Sequence, residues 1–304
     1  MSRPAKNRPL NPRRIGVIVM HTFTQLARMK VFYFLGVFAV ILLGSNLFNI
    51  QDLGRPDLEG SDVLRSIRSW SLGTMTLFSV VLAVVATALL LPKDVEDRTL
   101  YTILAKPVPR LDYLTGKLGG VLLLIFVSLL AMDLLMTGVL AVRTNLVVAE
   151  QVAATTAEGW PAAEIEALRQ ETLNQGPTWS LHGAVLAVFL RAAVIASTAM
   201  LISTFSTSTL FTTVTGFLIY FIGNFQADAR SMYFGSGGVG PLEKIAGLAV
   251  ALIFPDFQLF NVVDAVIEGV ALPPGSLAML AGLSGFYVVM HLFVSWLVFA
   301  DKEF

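Results

Sequence analysis

Six runs of apolar residues, long and nearly free of charge, dominate this chain: 31–48, 72–91, 118–142, 183–205, 209–225 and 276–299. Inside hydrocarbon a peptide group finds no water, so each run must satisfy its own backbone N–H and C=O groups, as an α-helix does. About 20 residues cross a bilayer core, and the first run stands near the short limit. Composition agrees: 55% of residues are hydrophobic and 14% charged, against about 25% charged in soluble domains, with a mean hydropathy of +0.73. The expected fold class is therefore all-α and integral to a membrane. A net charge of zero leaves no electrostatic case for nucleic acid. The absence of cysteine excludes disulfides, thiolate metal sites and cysteine nucleophiles.

The intervals between the runs carry the remaining organisation. Asn11 before Pro12 is a helix start, a capping side chain ahead of proline at the first helical position. Ile15, Ile18, Val19, Thr22, Phe23, Leu26 and Met29 then recur at helical spacing, with Arg13, Arg14, Arg28 and Lys30 at the two ends. Residues 12–30 are expected to form an amphipathic helix in the headgroup plane. The hydrophilic stretch 143–182 is an insertion with a helix expected near Pro161 to Leu173. Residues 245–272 hold two apolar pieces, each too short to cross, broken at Pro255-Asp256 and closed by Pro273-Pro274. A re-entrant helix pair fits these breaks better than a seventh span, which would have to bury Asp256 and Asp264.

Lysine and arginine counts in short loops set the orientation. Residues 1–30 hold seven basic side chains and 92–117 hold five, against three in 49–70 and two in 143–182. The N-terminus and the 92–117 loop therefore face the cytoplasm, the 143–182 insertion faces away, and six spans return the C-terminus to the cytoplasmic side. The 92–117 loop, PKDVEDRTLYTILAKPVPRLDYLTGK, alternates its charges. Its Leu100, Ile103 and Leu104 lie along one edge of a short helix. Lys106 before Pro107 stops that helix, and Pro109 starts the next. Two readings fit this pattern, a docking surface and an ordinary amphipathic connection.

A basic entry helix, six spans and the sequence EDRTLYTILAKPVPRLDYLTGK between spans two and three resemble the ABC-2 type permeases, membrane subunits of ATP-binding-cassette exporters. The residues that carry the resemblance are Glu96, Arg98, Thr99, Leu100, Ile103, Leu104, Lys106, Pro107, Arg110, Gly116 and Lys117. It extends over nearly the whole chain in the order of spans, although the 143–182 insertion is not part of the common pattern. The resemblance implies a single transmembrane domain that does no chemistry itself. Its loop, a coupling helix, would dock on a separate ATPase subunit through Glu96, Arg98, Leu100, Ile103, Leu104, Lys106 and Arg110. ATP would be bound by that ATPase, so the chain itself would need no cofactor. A second permease copy, identical or related, and membrane lipid complete the implied partners. The implied location is the inner (plasma) membrane, and the implied activity is export.

Other candidates are weaker. No phosphate loop of the form G-x-x-x-x-G-K-[ST] occurs, and the G-x-G-x-x-G of Gly235 to Gly240 follows no strand. His21, His182 and His291 lack ligand spacing, and His291 on the last span reads as a packed histidine rather than a proton relay. Asp133 and Arg191 are charges within spans three and four, which normally face protein or water and find partners. Equal depth in antiparallel spans predicts an Asp133–Arg191 ion pair, structural or lining a substrate path. A non-transporting mechanical or regulatory subunit would show the same spans and loop. A secondary transporter would be expected to show internal repeats, and none is convincing. The generic apolar path residues point to an amphipathic or lipid-like substrate.

Overall fold

The computed structural model describes residues 11–45, 61–96, 108–206, 208–235, 240, 245 and 254–300. Its elements are α1 (Pro12–Ala27), α2 (Lys30–Ser45), α3 (Ser61–Glu96), α4 (Arg110–Ala157), α5 (Ala162–Asn174), α6 (Trp179–Phe205), α7 (Thr209–Gly235), a 3₁₀ turn (Phe257–Phe260), α8 (Val263–Ile267) and α9 (Pro274–Ala300). No strand occurs among the described residues. Among the described residues, four stretches are long and apolar enough to cross a membrane, Asp62–Leu90, Arg110–Ala157, Ala162–Phe205 and Pro274–Phe299, and Gly36–Ser45 of α2 is a shorter apolar piece.

Several helices outrun the apolar segments from which they were read, α3 and α4 by the most. α3 begins at Ser61 rather than at residue 72, and α4 continues to Ala157 rather than ending near 142. Neither extension contains a proline or a paired glycine to stop it, and polar residues such as Arg65, Arg68, Asn145 and Gln151 are acceptable helix formers. The hydropathy boundary marks where side chains change character, and the backbone has no reason to break there. Of the residues expected to form a re-entrant pair, 246–253 lie outside the described residues. The later part is the 3₁₀ turn followed by the five-residue α8, with the Asp256 side chain accepting from Gln258 N at 3.0 Å to start the turn.

α6 is the hub of the bundle. It touches α3, α4, α7, α8, α9 and the 3₁₀ turn, and its buried residues lie on every side of the helix. Ala184, Ala187, Ala192, Ala193, Ala196 and Ala199 are all buried there. Small side chains let neighbouring backbones approach, and close dispersion contact is what holds apolar helices together once water is absent.

α1 packs along the first turns of α4, and glycines make the approach possible. A Cβ at Gly116 would stand 2.6 Å from Ile18 Cβ, and one at Gly120 would stand 2.5 Å from Thr22 Cβ. Asn11 caps α1 by accepting from Arg13 N at 3.0 Å. Arg14 Nε donates to Asp112 Oδ2 at 2.9 Å, and the Asp112 side chain is almost wholly buried.

At the opposite end of the bundle, a buried arginine closes the hairpin of α4 and α5 onto α3. Arg68 is 1% exposed. It donates from Nη1 to Gln175 Oε1 at 3.0 Å, and from Nη2 to Gly176 O at 2.8 Å and Asn174 O at 3.3 Å. These acceptors lie at the C-terminal end of α5, where carbonyls lack intrahelical donors and the helix dipole is negative. Thr172 Oγ1 donates to Gln151 Oε1 at 2.7 Å, tying α5 to α4.

Two outcomes test this packing. Gly120→Val should push α1 off α4 and cost about 1–3 kcal/mol by overpacking, read as a lowered melting temperature in detergent and as faster proteolysis ahead of residue 30. Arg68→Leu should leave the carbonyls of Asn174 and Gly176 without donors at about 1–3 kcal/mol per buried group. Limited proteolysis should then cut first between residues 158 and 178.

Candidate functional site

The start of α4, immediately after the 92–117 loop, is welded to two other elements. Arg110 Nη1 donates to Phe299 O at 2.6 Å, with its guanidinium carbon 5.9 Å from the Phe299 ring centroid. Tyr113 stacks on Phe299 at 6.1 Å and 16°. Lys117 is buried, with Nζ 5.7 Å from the Tyr113 ring centroid. With the Arg14–Asp112 ion pair one turn away, α1, the start of α4 and the end of α9 form one block. Of the residues expected to dock an ATPase, Arg110 sits in this block and Glu96 is the last residue of α3. Arg98, Leu100, Ile103, Leu104 and Lys106 lie outside the described residues.

A cavity of about 480 Å³ opens between α3, α6, α7 and the segment from the 3₁₀ turn to α8. Its α3 wall is Gly73, Thr76, Leu77, Val80 and Val81, one helical face by spacing. Phe217 and Phe221 of α7 and Val263 of α8 complete the apolar lining. The polar side gathers Arg191, Tyr220, Asn224, Gln258, Asn261 and Asp264. Arg191 is 9% exposed. Its Nη2 donates to Asn224 Oδ1 and, at 3.4 Å, to Tyr220 OH, while its guanidinium carbon stands 5.3 Å from the Tyr220 ring centroid. Gly223 positions this corner, because a Cβ there would stand 2.5 Å from Phe257 Cδ2 and 2.6 Å from Pro255 O. Gln258 Nε2 donates to Asn224 O at 3.1 Å, holding the 3₁₀ turn beside the cavity.

The expected Asp133–Arg191 ion pair is replaced by two separate arrangements. Asp133 Oδ2 lies 2.7 Å from His182 Nδ1, and Trp179 meets the His182 ring edge-on at 5.7 Å. Helix geometry explains the exchange. His182 and Arg191 are nine residues apart on α6, which places them on opposite faces and about 13.5 Å apart along the axis. Asp133 faces the start of α6, so Arg191 lies beyond its reach. Equal depth was inferred from where the apolar runs end, and α4 runs well past that point.

Tyr220, Asn224 and Gln258 were missed by sequence reasoning. Their signal was faint: Tyr220 and Asn224 are one helical turn apart within an apolar run, the spacing at which two polar groups can serve one partner. His291 is buried against α6, with Nδ1 2.9 Å from Ser197 Oγ and 3.4 Å from Thr198 Oγ1.

The separate partners have a thermodynamic signature. In a double-mutant cycle, Asp133→Asn and Arg191→Gln should be additive to within about 0.5 kcal/mol, because they share no partner. Asp133→Asn and His182→Gln should couple by about 0.5–3 kcal/mol, as residues in direct contact do. Thermal unfolding of the three single variants, the two double variants and the wild type in one detergent reads both couplings.

Comparison with known families matches residues 15–228, from the body of α1 into α7, to the family described as ABC-2 family transporter protein. A search of curated proteins gives no match.

Proposed function

The chain belongs to the ABC-2 family of transporter membrane proteins, and from that premise we propose that it is the permease subunit that couples a substrate path to ATP hydrolysis on a separate ATPase chain. ATP is bound on that partner. Six membrane-crossing helices, α2, α3, α4, α6, α7 and α9, carry the subunit through the inner membrane, with both termini and the 97–107 segment in the cytoplasm. The lysine and arginine distribution supports this orientation. Two copies, or this chain and a related one, enclose the path, and the direction of transport is export.

The observation that carries the coupling is the block formed by α1, the start of α4 and the end of α9. Glu96, Arg98, Leu100, Ile103, Leu104 and Lys106 meet the ATPase and push against Arg110. The Arg110–Phe299, Tyr113–Phe299 and Arg14–Asp112 contacts keep α4 from absorbing that push by local bending. The displacement therefore reaches α6, against which α3, α4 and α9 all pack, and α6 carries Arg191 at the cavity wall. Closure of the ATPase pair on ATP is thereby transmitted as a movement of whole helices, the form in which packed interiors respond.

Affinity purification of the tagged chain from membranes, followed by ATPase assay, checks this reading. An ATP-binding-cassette ATPase should co-purify with the wild type. Leu100→Asp and Leu104→Asp should remove most of it, because a carboxylate replaces the apolar edge of the docking segment. Co-purification that ignores both changes would refute the docking assignment. Association with intact ATPase activity but no transport of any solute would identify a mechanical or regulatory subunit instead.

A further inference from the structure

We propose that the cavity between α3, α6 and α7 binds an amphipathic anion, a single carboxylate or phosphate head on an apolar chain. This inference rests on the permease reading and names the class of molecule the path would accept.

Three features converge. The first is Arg191, whose guanidinium offers five N–H donors. Its two acceptors, Asn224 Oδ1 and Tyr220 OH, are both neutral. Its Nε is buried without an acceptor, and among the described residues no carboxylate stands within ion-pair distance of it. A buried cation compensated only by neutral dipoles and one aromatic face leaves a positive site that an anion would complete.

The second feature is the apolar lining. Leu77, Val80, Phe217 and Phe221 present apolar surface, and Leu77 and Phe221 are 62% and 55% exposed. The cavity is thus open along the flank where an alkyl chain would lie, with its cation at the covered side. A pocket of this volume falls in the range that takes a small organic ligand.

Third, Asp264 marks the limit of the charge tolerated. It lies exposed at the rim and accepts from Asn261 Nδ2 at 2.8 Å. A negative charge there disfavours a polyanion while leaving room for one anionic group beside Arg191.

Binding of radiolabelled dodecanoate to the full chain in phosphatidylcholine nanodiscs, with empty nanodiscs as background, tests the proposal. Unlabelled dodecyl phosphate should compete, whereas dodecylamine, dodecanol and inorganic phosphate should compete at least about tenfold less well, the factor set by one charge-assisted contact or by the lost chain. Arg191→Gln should weaken dodecanoate binding by about tenfold or more. Gly73→Phe should abolish it, since a Cβ at Gly73 meets nothing within 4 Å and the ring can extend into the cavity without displacing backbone. Asp264→Asn should leave binding unchanged or tighten it. Equal competition by dodecanoate and dodecylamine would overturn the proposal, and so would binding indifferent to Gly73→Phe, a variant that does not depend on the fate of Arg191. Loss of dodecanoate selectivity with the ATPase still co-purifying would refute this inference alone. Failure of the ATPase to co-purify with the wild type would instead refute the permease reading.

Discussion

Everything in this molecule depends on burying α6 on all sides. A helix in hydrocarbon gains little by exchanging lipid for protein through the hydrophobic effect, so its neighbours must be held by close contact and by polar groups that have nowhere else to go. The alanine-rich surface of α6 supplies the contact. The polar groups are few and specific: His291 reaches Ser197, Ser284 Oγ donates to Leu190 O at 3.0 Å, and Leu272 N donates to Ser180 Oγ at 3.2 Å. Each fixes α9 or its approach against α6 at a different height, so α9 has one register, although most of its surface is exposed.

Buried charge is distributed by the same logic. Arg68 and Asp112 are each placed against groups that are already short of partners or already charged: the free carbonyls after α5, and the guanidinium of Arg14. Such contacts add little net stability compared with apolar substitutes, but they make alternative packings costly, because a displaced partner would leave a buried charge alone. Arg191 is the exception among these groups. Like Arg68 it has neutral partners, but it borders a cavity rather than a packed interface.

The all-helical, membrane-embedded class was legible from the apolar runs alone, because hydrocarbon permits so few backbone solutions. The family was legible in a single polar loop, where charge alternation and the Lys106-Pro107 break form a pattern that hydropathy does not contain. The Asn11 cap could be read in the same way, being a contact between near neighbours. What could not be read was anything that depends on where two helices meet. Arg68 looks like an ordinary loop cation until α3 is seen to begin at Ser61 and the turn after α5 folds over it. Gly116 and Gly120 look like helix-weakening residues until Ile18 and Thr22 occupy the space. The partners of Asp133 and Arg191 were misjudged because depth was measured from the ends of apolar runs. A nine-residue separation on α6 also turns a side chain to the far side of the helix.

The length of α4 has a mechanical consequence. Forty-eight helical residues span about 72 Å at the α-helical rise, more than twice the roughly 30 Å of a bilayer core. At its far end α4 is fastened to α5 by Thr172 and Gln151, and α5 is fastened to α3 by Arg68. The pair α3 and α4 is thus pinned like a compass at its hinge, with its points at Glu96 and at Arg110, which is held to Phe299 of α9. Opening such a compass by about 5° parts points some 40–60 Å from the hinge by roughly 4–5 Å, close to one helical pitch. A short stroke applied between the points would become a small change of angle at the hinge.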